Sequence, residues 1–181
     1  MEISFGRYRI RSFHKNDIES IVRYGNNRNV SIHLRDTFPY PYRRSDAQAW
    51  LKFVATQSPE ANFALASQEE LVGGIGLRLL GDVDCVSAEL GYWLGEPFWG
   101  KGIATEAVKH FLPFCFREFE IARIYAEVFS GNEASIRVLE KCGFEAEGIM
   151  RQAVVKDGVL KDKFVLALRR EDFQQRHTAR S

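Results

Sequence analysis

Apolar and polar positions change period several times along the chain, and each change predicts an element. Tyr8 to Phe13 begin Tyr, Arg, Ile, Arg, which reads as a first strand with charge on one side. Behind Asn16 and Asp17, either of which can cap a helix, Ile18, Ile21 and Val22 recur at helical spacing until Gly25. Asn26 to Tyr42 shows no period. Its Pro39 and Pro41 cannot continue a helix and disfavour a central strand, so Phe38, Tyr40 and Tyr42 sit in an ordered loop and need a surface to rest on. A second helix starts at Ser45, with its face read from Asp46, Ala49, Trp50, Phe53 and Val54.

Phe63 to Ala66 and Leu71 to Leu80 then read as paired strands around Ser67-Gln68-Glu69-Glu70. Gly73, Gly74 and Gly76 weaken the second of these unless a neighbouring backbone or a ligand lies close. Gly81-Asp82-Val83-Asp84 turns the chain into a strand from Val86 to Leu94. From Gly102 to Phe116 the pattern Ala104, Ala107, Val108, Phe111, Leu112, Cys115 is amphipathic, and Pro113 removes one backbone bond within it. A β-rich run, Ile121 to Phe129, leads to Ser130 and Glu133, which have the spacing of a capping box. The helix that follows, Ala134 to Lys141, ends at Gly143. Phe144 to Lys156 and Val159 to Leu168 flank Asp157-Gly158, a hairpin signal. The expected fold is α/β (α+β): one domain over residues 1–170, with a central mixed, mostly antiparallel sheet of six to seven strands and helices on both faces. Residues 171–181 read as a loose polar tail.

The chemistry gathers around Glu89 to Val108, where a strand runs into a Gly-rich turn and then at once into a helix. Gly100 and Gly102 let consecutive N–H groups point into one concavity, and the helix N-terminus adds partial positive charge, which makes an anion seat. The turn is neither G-x-x-x-x-G-K-[ST] nor G-x-G-x-x-G, because Lys101 lies between the glycines and Thr105 stands where a third glycine would be. Thr105 can cap the helix or meet a phosphate oxygen, and Lys101 can neutralise phosphate or simply be solvated. A tight structural connection is the other reading of the whole turn.

Trp99-Gly100-Lys101-Gly102-Ile103-Ala104 resembles the acyl-CoA diphosphate loop of the GNAT superfamily of N-acetyltransferases, Q/R-x-x-G-x-G/A. Asn132-Glu133-Ala134-Ser135 and Glu140-Lys141-Cys142-Gly143-Phe144 resemble its second cofactor segment, N-x-x-S followed by E-K-x-G-F. The resemblance runs from Tyr8 to Arg169 and is nearest the branch that holds the RimJ and RimL ribosomal-protein acetyltransferases and the spermidine acetyltransferases. Trp99 departs from it at the Gln/Arg position.

The resemblance implies transfer of an acetyl group from acetyl-CoA to a primary amine by direct attack in a ternary complex, without a metal. It implies cofactor contacts from the Tyr92-Trp93-Leu94 backbone, from Gly100, Lys101, Gly102, Ile103, Ala104 and Thr105, and from Asn132 and Ser135. A carboxylate in the region of Glu89 takes the amine proton in many members, and a Ser at the place of Ser135 serves the departing thiolate. From the residues alone, Glu89 lies among apolar neighbours whose burial of it would suit a base, or else it is a plain surface glutamate. Asn26 to Tyr42 is either a lid or one wall of the acceptor site. It carries Asp36 against Arg28 and Arg35, with Arg43 and Arg44 beyond, which leans toward a peptide or an anionic small molecule rather than a polyamine. A non-catalytic acyl-CoA-binding module is the competing reading.

Composition narrows the rest. The 181 residues, 45% hydrophobic, suit one sizeable core. A net charge of +1 supplies no field toward nucleic acid or membrane. Cys85, Cys115 and Cys142 form no CxxC pair and suit free thiols in a reducing compartment. The N-terminus lacks a signal-type apolar run. A cytoplasmic protein is expected, with a homodimer left open.

Overall fold

The computed structural model describes residues Met1–Thr178. Among these residues eight strands hydrogen-bond in the order β1-β2-β3-β4-β5-β6-β8-β7. They are β1 Glu2–Phe5, β2 Tyr8–Arg11, β3 Asn62–Ala66, β4 Leu71–Leu79, β5 Ser87–Leu94, β6 Arg123–Phe129, β7 Glu145–Lys156 and β8 Val159–Arg169. Neighbours β5 and β6 run parallel, with Ser87↔Arg123 to Glu89↔Tyr125 in register, and β1–β2, β2–β3, β3–β4, β6–β8 and β7–β8 run antiparallel. The helices are α1 Ile18–Gly25, α2 Arg28–Ser31, α3 Arg44–Val54, α4 Ile103–Glu118, α5 Glu133–Lys141 and α6 Arg170–Thr178. The mixed, mostly antiparallel α/β class holds, with eight strands instead of six to seven.

The extra strand is β1. Phe5 pairs with Tyr8 across Gly6-Arg7, and Gly6 has φ +56, the conformation that a two-residue hairpin loop asks of its first central residue. A four-residue strand, Glu-Ile-Ser-Phe, gives too short an alternation to stand out.

Contacts gather the chain into two compact units, Met1–Gly76 with Tyr92–Phe111, and Leu77–Gly91 with the chain from Leu112 onward. The first unit centres on Ile10, Ile21, Phe63, Leu65, Leu71 and Phe111, all almost wholly buried. Fully burying a side chain of this size stabilises by roughly 1.5–3 kcal/mol. Asp17 does not act as a free helix cap. Its carboxylate accepts both Arg11 guanidinium nitrogens at 2.8 and 2.7 Å and the His14 N–H at 2.7 Å, and is 4% exposed. Helix α3 buries Ala47 and Val54 and packs Trp50 and Leu51 beside them, the i, i+3, i+4, i+7 set. Phe53, expected inside, is 53% exposed, so the inner face is rotated from the one read in the sequence.

In the second unit Ile124, Leu139, Leu166 and Leu168 are buried. Helix α5 closes as expected: Gly143 has φ +92, its N–H bonds the Glu140 carbonyl at 3.0 Å, and the Phe144 N–H bonds that of Leu139 at 3.1 Å. Its N-cap is Asn132, not Ser130 of the expected capping box, because the Asn132 side chain accepts the Ser135 N–H at 3.3 Å. Asp157 and Gly158, with φ +53 and +76, form the predicted hairpin turn. The loose tail is corrected by α6. Arg170 donates to the carbonyls of Phe116, Phe119 and Ile121, the Phe173 ring packs tilted against Phe116 at 5.0 Å, and Arg176 donates to the Gly143 carbonyl at 2.9 Å. Residues 179–181 of that tail lie outside the described residues.

Candidate active site

The Gly-rich turn begins where β5 ends. Gly95 N–H bonds the Val72 carbonyl at 2.8 Å, a single 3-10 turn covers Glu96–Phe98, and α4 starts at Ile103. Gly100 and Gly102 have φ +72 and +75, and a Cβ at either would meet no atom within 4 Å. The left-handed backbone favours glycine there, and the space beside it is open. The α4 ladder takes Glu106 N–H to the Gly102 carbonyl at 3.1 Å, so Ile103, Ala104 and Thr105 form the first turn of a 16-residue helix, where amides and macrodipole favour an anion. These features fit a diphosphate seat.

Two side chains of the loop turn back on it. Trp99 is 41% exposed and its indole N–H donates to the Leu94 carbonyl at 2.7 Å, tying the loop to the strand end. Lys101 donates to the Pro97 carbonyl at 2.8 Å and lies 5.8 Å from the Phe98 ring centre. The departure at position 99 thus has a use of its own, in anchoring the loop to the end of β5.

Along Tyr92-Trp93-Leu94, β5 approaches β4 closely. A Cβ on Gly73 would come 3.0 Å from the Leu94 Cα, and one on Gly74 2.8 Å from the Trp93 indole nitrogen. A close neighbour, as expected, accounts for those strand glycines, and Gly76 gives way to Asn62. Trp93 also supports the Asn26–Tyr42 segment. Phe38 meets it edge-on at 5.3 Å and lies 4.6 Å from Tyr42, which is buried, while Tyr40 is half exposed. Burial, reinforced by the charge of Asp46, pushes the Tyr42 hydroxyl up to about 12.

Glu89 stands on β5 between buried Ala88 and Leu90, on the opposite face. Its surroundings are polar and its side chain is largely covered, so neither apolar burial nor a plain surface position, the two readings of the sequence, describes it. Arg78 Nε donates to Glu89 Oε2 at 2.9 Å and Nη2 reaches the same oxygen, with Tyr125 Oη 3.3 Å from that Nη2. The Glu89 side chain is 12% exposed and that of Arg78 61%, so the ion pair covers the carboxylate without sealing it. The next residue on this face, Gly91, is exposed, and a Cβ there would meet nothing within 4 Å. Open space therefore lies beside the carboxylate. Arg123, 5.6 Å from the Tyr125 ring centre, pairs with Glu147, and Lys163 pairs with Glu127 at 2.6 Å, so charges of both signs run across this face.

Ser135 lies in the first turn of α5, half buried. Asn132 acts on it directly, since the cap bond fixes the Ser135 backbone. Within the first unit, then, the structure joins Tyr92–Leu94 to the Gly100–Thr105 loop through Trp99. Within the second it sets Asn132 against Ser135, and Glu89 against two residues that sequence reading missed, Arg78 and Tyr125. Arg78 had a signal. The hairpin bond from Leu80 N–H to the Ser87 carbonyl fixes an antiparallel register in which residue 78 stands opposite 89. Among the described residues no group of three His, Cys, Asp or Glu side chains could hold a metal ion, and no helix is long and apolar enough to cross a membrane.

Residues 7–145 match the model of the Acetyltransferase (GNAT) domain. YjcK of Bacillus subtilis (strain 168), a probable N-acetyltransferase, is 41% identical over 110 residues, a stretch that covers 61% of this chain and 61% of that relative. YokL of the same organism, an uncharacterized N-acetyltransferase derived from the SPbeta prophage, is 29% identical over 161 residues, or 88% of this chain and 89% of its own. A solved structure of RimL, the ribosomal L7/L12 alpha-N-protein acetyltransferase, in complex with coenzyme A has a TM-score of 0.83 at 19% identity, with 95% and 99% of the two chains covered. At that identity the likeness is one of fold. With the family domain spanning most of its length, the chain belongs to the GNAT acetyltransferase family, acetyl-CoA-dependent N-acetyltransferases.

Proposed function

We propose that this chain acetylates a primary amine, either a protein N-terminus or a small-molecule amine, by direct attack within a ternary complex. The observation that carries the reading is the pair of left-handed glycines before a long helix, with open space at both, in a chain of this family. Gly100, Lys101, Gly102, Ile103, Ala104 and Thr105 hold the diphosphate through their backbone. Acetyl-CoA supplies an activated thioester and a thiolate leaving group. The Tyr92–Leu94 backbone orients that carbonyl and offers an N–H where oxyanion charge develops. Glu89 takes the amine proton, directly or through water, and the open space over Gly91 admits the amine. Ser135, fixed by Asn132, donates a proton or a hydrogen bond at the departing sulfur.

The acetyltransferase domain runs from residue 1 through α6, in a cytoplasmic protein that binds no DNA and no membrane. The acceptor is a peptide N-terminus or an anionic amine in preference to a polyamine. Arginines favour that choice: Arg28 lies over Tyr40 at 5.4 Å on the proposed acceptor wall, and Arg78 flanks Glu89.

Calorimetric titration with coenzyme A, followed by thiol release from acetyl-CoA with ribosomal-protein N-terminal peptides, spermidine and aminoglycosides, tests the reading. Micromolar binding and turnover on a peptide are expected. Absence of binding heat ends the whole account. Binding without turnover on any amine replaces the enzyme by a non-catalytic acyl-CoA module, and fastest turnover on spermidine reverses the acceptor preference. Ser135→Ala is expected to lower turnover by far more than it lowers coenzyme A affinity.

A further inference from the structure

The loop before α4 is held from outside as well as by its own strand and helix. Glu96 accepts two side-chain amides from the α1–α2 segment, Asn27 Nδ2 at 2.6 Å on Oε2 and Asn29 Nδ2 at 2.8 Å on Oε1. Asn27 is committed at its other end too, because its Oδ1 caps α2 by accepting the Asn29 N–H at 2.8 Å. Two residues beyond Glu96, the Phe98 ring meets Tyr24 edge-on at 5.2 Å. On the other side of Glu96, a Cβ on Gly95 would press to 2.9 Å from the Tyr24 ring. Tyr24 is itself fixed from behind, since its hydroxyl donates to Glu70 at 2.7 Å beside Ser20 and Arg23 on the same carboxylate.

The two asparagines that grip the loop belong to the Asn26–Tyr42 segment. Asn26 Oδ1 accepts the Tyr42 N–H at 3.0 Å, and Phe38 packs between Tyr42 and Trp93. A continuous run of contacts therefore leads from the Gly-rich loop through Glu96 and the two asparagines to the aromatic wall. We propose that Glu96 is a positioning residue that latches the diphosphate loop to the Asn26–Tyr42 segment, so that seating coenzyme A orders the acceptor wall. This rests on the reading of Gly100–Thr105 as the coenzyme A seat. If coenzyme A tightens the loop end of this run and the wall end with it, the coupling acts equally in reverse.

Hydrogen exchange of the full chain tests it, with coenzyme A itself as the probe. In the free protein, Glu96→Ala speeds exchange over residues 95–102 by about tenfold, the range that a lost hydrogen bond allows. Saturating coenzyme A slows exchange of 95–105 in both proteins, but slows that of 26–42 only in the wild type. Affinity for coenzyme A falls roughly fivefold in the variant, a modest coupling. Glu96→Gln, which keeps one acceptor oxygen and so one prong of the fork, falls between the two and guards against a variant that does not fold.

Equal protection of 26–42 by coenzyme A in wild type and Glu96→Ala overturns the latch, as does unchanged exchange of 95–102 in the free variant. If the wild type binds no coenzyme A, the seat itself is refuted and the coupling with it. The free-protein comparison then still decides whether Glu96 holds the loop.

Discussion

The loop from Gly95 to Thr105 and the strand around Glu89 supply the two halves of the proposed chemistry, and they are built from different material. The loop works through peptide groups, whose direction is set by two glycines at φ +72 and +75. The strand works through a side chain whose environment comes from Arg78 on β4 and Tyr125 on β6. The first is a property of consecutive residues. The second exists only once a hairpin and a parallel crossover have put three strands in register. Backbone sites and side-chain sites should accordingly fail differently when single residues are changed.

The largest effect is expected on the side-chain half. Glu89→Gln keeps shape and most hydrogen bonds but cannot accept a proton, so kcat on an accepted amine should fall by about 10²–10⁴. Coenzyme A affinity by calorimetry should not change. If steady-state turnover stays within roughly twofold of the wild type, the proton leaves by another route and the strand half of the comparison is lost.

The loop half should break through conformation. At φ +75 any Cβ costs roughly 1–2 kcal/mol, and a β-branched side chain costs more. Gly102→Val should therefore weaken coenzyme A binding by about ten- to a hundredfold. The space beside Gly102 is open, so the loss comes from backbone strain and not from crowding, and the same strain should lower the melting temperature by a few degrees. An unchanged dissociation constant would mean that these amides do not hold the diphosphate.

That asymmetry also governs how much could be read from the sequence. The strand, turn and helix around Gly100 were legible because glycines, helix period and motif spacing all act within a few residues of one another. The Asp157-Gly158 hairpin and the Gly143 helix end were legible for the same reason. Glu89 was legible as a carboxylate in the right stretch, but not in its surroundings. Leu90 and Ala88 next to it in sequence suggested apolar burial, whereas strand alternation turns them to the other face and Arg78 covers the carboxylate. Asn132 was read for its family role and Ser130 for the cap, yet the cap bond comes from Asn132. Helix α6 stayed hidden because it is held by Arg170, Phe173 and Arg176 reaching distant carbonyls and a ring, which polar composition cannot announce.

A third change sharpens the comparison by using a glycine that lies on the strand. Gly91 is not in the left-handed region, and a Cβ there meets no protein atom. Gly91→Val should fit the strand well, leaving stability unchanged or raised by up to about 1 kcal/mol. If the acceptor amine comes in over this residue, its KM should rise by about tenfold, the cost of overfilling a fitted site, with coenzyme A affinity constant. Gly102→Val shows the opposite pattern, in which cofactor binding suffers first. A Gly91→Val enzyme with unaltered acceptor KM would place the amine elsewhere.

The smallest effect concerns the side-chain support of the Asn26–Tyr42 wall and is read from pH. Burial, with Asp46 adding to it, lifts the Tyr42 hydroxyl to about 12 in the folded protein, while in the unfolded chain it ionises near 10. Between those values the unfolded state releases a proton that the folded state keeps, so rising pH favours unfolding. The contribution of Tyr42 is thus complete below pH 10 and disappears as pH climbs through 12. Tyr42→Phe retains the ring against Phe38 and has nothing to ionise. The melting-temperature difference between wild type and Tyr42→Phe should hold steady from about pH 7 to 9, and the wild type should lose a few degrees relative to the variant above about pH 10. The loop amides carry no titrating group, so below pH 9 the substitution should leave coenzyme A affinity as it was. Parallel melting curves across the alkaline range would show that Tyr42 ionises freely and that the wall is less tightly packed than its contacts imply.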